Sequence, residues 1–179
     1  MKLNFKSGSD WNTQTIRRYK PTRDFINKFN PHGRLLDIGG VNKMGMLLAG
    51  EFKLDYETTT ADLDYTLDAT KKYDTIFMFE VLEHLMNPLL CLNNIKKHCK
   101  KDTQFYLSVP RQQHLFWDCH HFHEFDKIRF EHLIKSAGFE IEAQSKHVAR
   151  FNWSFYFTGI RPILRLLFFK PIYYLYKLR

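Results

Sequence analysis

Two short apolar runs in this 179-residue chain end abruptly in charged or glycine residues. One is Leu35-Leu36-Asp37-Ile38-Gly39-Gly40, the other Thr75-Ile76-Phe77-Met78-Phe79-Glu80. Runs this short and continuous read as strands buried on both faces that deliver their carboxyl ends to a ligand crevice. Around them the pattern predicts further elements. Residues 10–30 predict one or two short helices broken near Pro21, and a strand follows at about 34–38. The Gly39-Gly40 turn leads into a short helical segment from Met44 to Leu48, ended by Gly50. Residues 52–62 are rich in β-branched and aromatic residues and predict a strand. No room is left for a full helix before the next strand, at 74–80.

Asn87-Pro88 predicts a helix start, with Asn as N-cap and Pro at the first helical position. Leu89, Leu92, Ile95 and Cys99 fall on one face, and Lys96, Lys97, Lys100 and Lys101 gather where the helix dipole favours cations. Thr103 to Val109 reads as a strand stopped by Pro110. Asp126 caps a helix that turns Phe130, Leu133, Ile134 and Ala137 inward and closes at Gly138. Phe139-Glu140-Ile141-Glu142 starts a last strand. Strands alternating with helices define an α/β class with a doubly wound, mostly parallel sheet, and the length suits one domain with a sizeable core.

Composition adds compartment and charge. Cys91, Cys99 and Cys119 form no paired framework, and the first residues lack an apolar signal core, so a reduced, cytoplasmic protein is expected. The formal charge of +8 is unevenly placed: residues 1–34 carry +6, residues 35–143 carry −5 and residues 144–179 carry +7. Basic ends can meet phosphate, of nucleic acid or of a membrane surface. In residues 151–179 aromatics and leucines alternate with Arg161, Arg165, Lys170, Lys177 and Arg179. Charges and the prolines Pro162 and Pro171 interrupt every span well short of the ~20 apolar residues of a transmembrane helix. Such a segment suits an anionic membrane interface, here at the inner face, or packing on the domain's own sheet. Nucleic acid is a weaker match, because the aromatics sit in an apolar run rather than on a polar platform.

In sheets of this class the ligand lies outside the carboxyl ends of the strands, at the topological switch point. The Gly39-Gly40 turn lets a backbone approach a ligand closely. Asp37 can orient that loop or accept from a ligand amine, and an acid after the second strand can take both hydroxyls of a ribose. Asp62 falls 25 residues after Asp37, with Asp64 two further on, and Phe79 and Glu80 reach the same rim.

Five segments in order resemble the class I S-adenosylmethionine-dependent methyltransferases, over roughly residues 32–143. They are Leu35-Leu36-Asp37-Ile38-Gly39-Gly40, Phe79-Glu80-Val81-Leu82-Glu83-His84-Leu85-Met86-Asn87-Pro88, Tyr106-Leu107-Ser108-Val109-Pro110, His120-His121-Phe122-His123-Glu124-Phe125 and Leu133-Ile134-Lys135-Ser136-Ala137-Gly138-Phe139-Glu140. The branch most similar modifies small molecules, quinones and glycans. The resemblance implies a Rossmann-like fold, abbreviated between strands 2 and 4 of the family's count. It implies an N-terminal helical cap (1–31), a methyltransferase-like domain (32–150) and the basic aromatic segment (151–179). S-adenosylmethionine is the implied cofactor, with Asp37, Gly39 and Gly40 at its methionine end, Asp62 or Asp64 at the ribose and Glu80 on the neighbouring rim.

Val41 and Lys43 depart from the family's Asp-x-Gly-x-Gly-x-Gly, and Val41 is placed to obstruct close approach. The implied reaction is methyl transfer to an oxygen or nitrogen of a small-molecule, glycan or lipid-linked acceptor. His84 and His121 are the candidates for base or acceptor contact, from a set that includes His114, His120 and His123. No metal site is expected: Cys119, His120, His121, His123 and Glu124 offer ligand atoms, but adjacent residues on an extended segment point opposite ways. The altered glycine loop leaves one rival, a non-catalytic binding or scaffold protein on the same fold. A nicotinamide-dependent dehydrogenase lacks its GxGxxG after the first strand.

Overall fold

The structure is a computed structural model and describes residues 13–111, 119–148 and 172–179. In chain order these form α1 (Thr13–Ile26), β1 (Arg34–Asp37), α2 (Lys43–Phe52), β2 (Asp55–Thr58), β3 (Tyr73–Phe79), α3 (Pro88–Lys96), β4 (Cys99–Pro110), α4 (Lys127–Ser136), β5 (Ile141–Val148) and β6 (Ile172–Leu178). The six strands make one sheet in the order β2-β1-β3-β4-β6-β5. β2, β1, β3 and β4 run parallel, and β6 lies antiparallel between β4 and β5. The chain leaves β1 toward β2 and returns on its other side to β3, so the switch point falls between the carboxyl ends of β1 and β3.

Each central strand alternates its side chains between two apolar layers, as the period of two requires. Leu35, Phe77, Tyr106, Tyr173 and Leu175 face α1 and α2 and meet Phe25, Ile26, Met44 and Leu48. Leu36, Ile76, Met78, Phe105, Leu107, Tyr176 and Leu178 face α3 and α4 and meet Leu92, Ile95, Phe130 and Ile134. Both faces are covered, so the apolar runs are continuous rather than alternating. Between β2 and β3, residues 59–72 form turns and extended chain with no helix, as the short interval requires.

Local signals held best at helix starts. Asn87 caps α3 by accepting from the Leu90 amide with Pro88 at the first position, and Asp126 caps α4 by accepting from Arg129. Three expectations are corrected. α1 runs straight through Pro21, because Thr22, Phe25 and Ile26 are buried on the sheet and tertiary packing offsets the lost backbone bond. α2 passes Gly50 and stops at Lys53, whose left-handed backbone (φ 55°) lets its amide reach the Ala49 and Gly50 carbonyls. On α3 the buried face is Pro88, Cys91, Leu92 and Ile95, with Leu89 exposed and Cys99 already in β4.

At the carboxyl end, residues 172–178 join the domain itself, one of the two placements expected for this segment. Residues 172–178 lie inside the sheet, so Tyr173, Leu175, Tyr176 and Leu178 are core side chains and not a membrane-facing surface. The ends of the strand pair are fastened by reciprocal bonds between Glu140 and Arg179. Lys177 is tolerated there because its ammonium pairs with Glu142 and lies 4.8 Å over the Phe29 ring, while its stem covers apolar surface. The rest of the basic aromatic segment, 151–171, lies outside the described residues. Among the described residues no helix is long and apolar enough to cross a membrane.

Candidate active site

At the end of β1, Asp37 is fully buried. Its Oδ2 accepts from Asn42 Nδ2 at 2.8 Å and from the Tyr56 hydroxyl at 3.0 Å. Its Oδ1 is buried with no hydrogen-bond partner among the described residues. Burial raises the Asp37 pKa to about 7, against the lowering effect of the Tyr56 and Asn42 bonds. The same Asn42 caps α2, its Oδ1 accepting from the Gly45 amide at 2.7 Å. One side chain therefore fixes both the helix start and the acid beneath the loop.

The loop above is built to come close to something. Gly39 (φ 105°) and Gly40 (φ 87°) both adopt the left-handed region. A Cβ on Gly39 would strike Val81, whereas a Cβ on Gly40 would point into open space. The Gly39 amide is anchored to Thr59 Oγ1 at 3.1 Å, and Thr58 Oγ1 and the Thr59 amide both bond the Asp37 carbonyl. Val41, expected to obstruct the loop, is 69% exposed. Gly45, buried in α2 against the Asp37 carboxylate, packs the helix rather than lining the loop.

The acids after β2 lie apart from that carboxylate. Asp62 is exposed in a turn, where its Oδ1 accepts from the Asp64 amide at 3.1 Å. Asp64 is half-buried, and its Oδ1 accepts from the Asn87 amide at 2.8 Å, tying the turn to the start of α3. Asp68 gathers the Thr60 amide and hydroxyl and the Ala61 amide. On β3, Phe79 reaches the rim, and Glu80 follows in a left-handed conformation (φ 56°), receives Ser108 Oγ at 2.8 Å and pairs with Arg18 at 2.8 Å. Arg18 was missed from the sequence. It sits on α1, and nothing local marks it.

Beyond Glu80 a single 3-10 turn, Leu82–His84, carries Glu83 and His84. Glu83 is buried, and its Oε2 has no hydrogen-bond partner among the described residues. Burial, with the Glu80 charge nearby, pushes its carboxyl well above the usual range. The Glu83 carbonyl receives the Phe122 and His123 amides at 2.9 and 3.1 Å, which docks the His120–His123 segment on this turn. His84 and His121 thereby meet, with ring centroids 4.9 Å apart. His84 Nδ1 lies 2.9 Å from the His120 carbonyl, and His123 Nε2 turns away to the Met86 carbonyl at 3.3 Å. Glu83 was missed although it lies inside the Glu80-Val81-Leu82-Glu83-His84 block. Its i, i+3 spacing from Glu80 was the available signal. His114 lies outside the described residues.

An open glycine turn over a buried acid, at the switch point of a doubly wound sheet, defines a ligand-binding α/β protein. The model of a methyltransferase-domain family matches residues 11–144, and the chain belongs to that family and is a methyltransferase. No functionally curated protein sequence matches it. Solved structures share the fold. An S-adenosylmethionine-dependent methyltransferase of Archaeoglobus fulgidus superposes with a TM-score of 0.63 at 12% identity, over 94% of this chain and 95% of that one. Magnesium protoporphyrin IX methyltransferase of Synechocystis, solved with S-adenosylhomocysteine, gives 0.59 at 14%, over 97% and 90%. Phosphoethanolamine N-methyltransferase 2 of Haemonchus contortus gives 0.64 at 11%, over 89% of this chain and 52% of that one.

Proposed function

We propose that this protein transfers a methyl group from S-adenosylmethionine to an oxygen or nitrogen of a small-molecule acceptor. The observation that carries the reading is the Gly39-Gly40 turn, whose open side at Gly40 leaves room for a cofactor over the buried Asp37. The Asp37 Oδ1, without a partner among the described residues, and the open approach at Gly40 fit the polar methionine end of that cofactor, and exposed Asp62 fits its ribose. Glu80, with both oxygens engaged, shapes the rim between them.

When bound, the cofactor supplies a sulfonium methyl that needs no further activation. The acceptor's lone pair would form the new bond to the methyl carbon, and the electrons of the broken C–S bond would stay with sulfur. The protein's part is to hold the acceptor in line and exclude water. A hydroxyl acceptor must also shed its proton, and His84 and His121 are the paired groups on that edge to receive the acceptor. The neighbours named for porphyrin and phosphoethanolamine support a small molecule as substrate class. Residues 151–171, with Arg161, Arg165 and Lys170 among aromatics, favour one that is anionic or lipid-linked, met at a membrane surface.

Calorimetric titration with S-adenosylmethionine and S-adenosylhomocysteine tests the cofactor directly. Micromolar binding is expected, weakened by Asp62→Ala. Gly40→Val should weaken it more than tenfold, while the strained φ costs the fold about 1–3 kcal/mol. Absence of binding to the folded wild-type protein would return the chain to a non-catalytic role.

A further inference from the structure

We propose that Glu83, His84 and His121 form a binding site for a divalent transition-metal cation at the acceptor edge of the sheet. The three residues bring one ligand atom each to positions that all lie within 4.8 Å of one another. A cation with bonds of about 2.0–2.2 Å holds neighbouring ligand atoms about 3–3.5 Å apart, so modest side-chain rotation closes the set.

Three independent features point the same way. His84 Nδ1 faces a carbonyl, which can only accept, so that nitrogen carries the proton and Nε2 keeps its lone pair. This is how a ligating histidine is usually held from behind. His84 Nε2 lies 4.0 Å from Glu83 Oε1. Second, Glu83 is 1% exposed and its Oε2 has no donor among the described residues, and a buried carboxylate oxygen without a donor calls for a proton or a cation. Third, the two amide bonds from Phe122 and His123 to the Glu83 carbonyl clamp the segment bearing His121 onto the segment bearing the other two. The two segments are therefore held together by backbone bonds before any ion arrives.

Glu80 is outside the set, since Arg18 and Ser108 occupy its oxygens. Two imidazoles with one carboxylate favour zinc, manganese or iron over magnesium, and three protein ligands leave positions open for an acceptor oxygen. There the cation would lower the pKa of a hydroxyl, whose proton passes to water, in place of direct proton removal by a histidine. That use rests on the methyl-transfer reading; binding of the ion does not.

The test is calorimetry of the chelator-treated full chain with ZnCl2, MnCl2 and MgCl2 alone, read beside S-adenosylmethionine binding in the same samples. One-site binding of zinc and manganese is expected, with magnesium far weaker. His121→Ala, on the half-buried segment, should weaken zinc at least tenfold, as should His84→Ala and Glu83→Gln, while His123→Ala and Cys119→Ser leave it unchanged. Zinc should raise the melting temperature of the wild type and not that of His121→Ala. Zinc affinity and melting shift equal in wild type and His121→Ala would overturn the proposal even with cofactor binding intact. Site-dependent zinc binding without cofactor binding would uphold it and remove the methyl-transfer reading instead.

Discussion

Gly45 and Asp37 occupy the same small space: a Cβ placed on Gly45 would sit 1.9 Å from Asp37 Oδ2. The carboxylate beneath the Gly39-Gly40 loop is therefore packed against the bare backbone of the helix that follows it. Gly45→Ala must push Asp37 away from Asn42 and Tyr56 or shift α2. A loss of about 1–3 kcal/mol in urea unfolding is expected, together with weaker S-adenosylmethionine binding. Wild-type values for both would show that the two elements are not coupled through this contact.

The burial of Asp37 predicts a pH dependence with a definite sign. In the folded protein the carboxyl keeps its proton up to about pH 7, while an ordinary carboxyl loses it near 3.8. The folded state thus binds the extra proton, so this group's contribution to stability falls as pH rises from about 4 to about 7 and levels off above. The full effect is on the order of 4 kcal/mol. Thermal melts of Asp37→Asn should lose less stability across that window than wild type, and parallel curves would contradict the assignment.

Arg18 links α1 to the rim through Glu80, with both side chains about three-quarters or more buried. Arg18→Ala leaves Glu80 Oε2 without that partner and should cost about 1–3 kcal/mol. Hydrogen exchange should then quicken in α1 before the sheet amides, and Arg18→Lys should restore part of the protection. Unchanged exchange in α1 would mean that apolar packing alone holds the helix.

Tyr176, in the middle of β6, has a buried hydroxyl without a partner among the described residues. Removing it in Tyr176→Phe keeps the ring against Phe130 and discards an unpaired polar group. The melting temperature should stay level or rise. A clear fall would reveal a partner for that hydroxyl.

Much of the scaffold was legible because its signals are local. Asn87 and Asp126 each satisfy an amide three residues away, and Gly39-Gly40 needs only its own backbone freedom. The runs at 35–38 and 75–79 announced strands buried on both sides. Pro21 and Gly50 misled for the same reason. They are local helix breakers, and the packing of Thr22, Phe25 and Ile26, and of Leu48 and Ala49, outweighs them.

The candidate site divides along the same line. Asp37, Gly39, Gly40, Glu80 and His84 stand in continuous motifs and could be named from the chain. Arg18 on Glu80 is a contact across 62 positions of sequence, and His121 reaches His84 only because the Glu83 carbonyl captures the Phe122 and His123 amides. By itself the sequence determined the types of α1 to α4 and β1 to β5, the caps that start α3 and α4 and the glycine turn, since these follow from backbone preferences and nearest-neighbour bonds. Only the tertiary structure decided that the last strand enters between β4 and β5, that Gly45 serves Asp37, and that Glu83 lies buried beside two histidines. Each of these depends on burial and pairing between distant segments, and such energies exist only once the sheet has assembled.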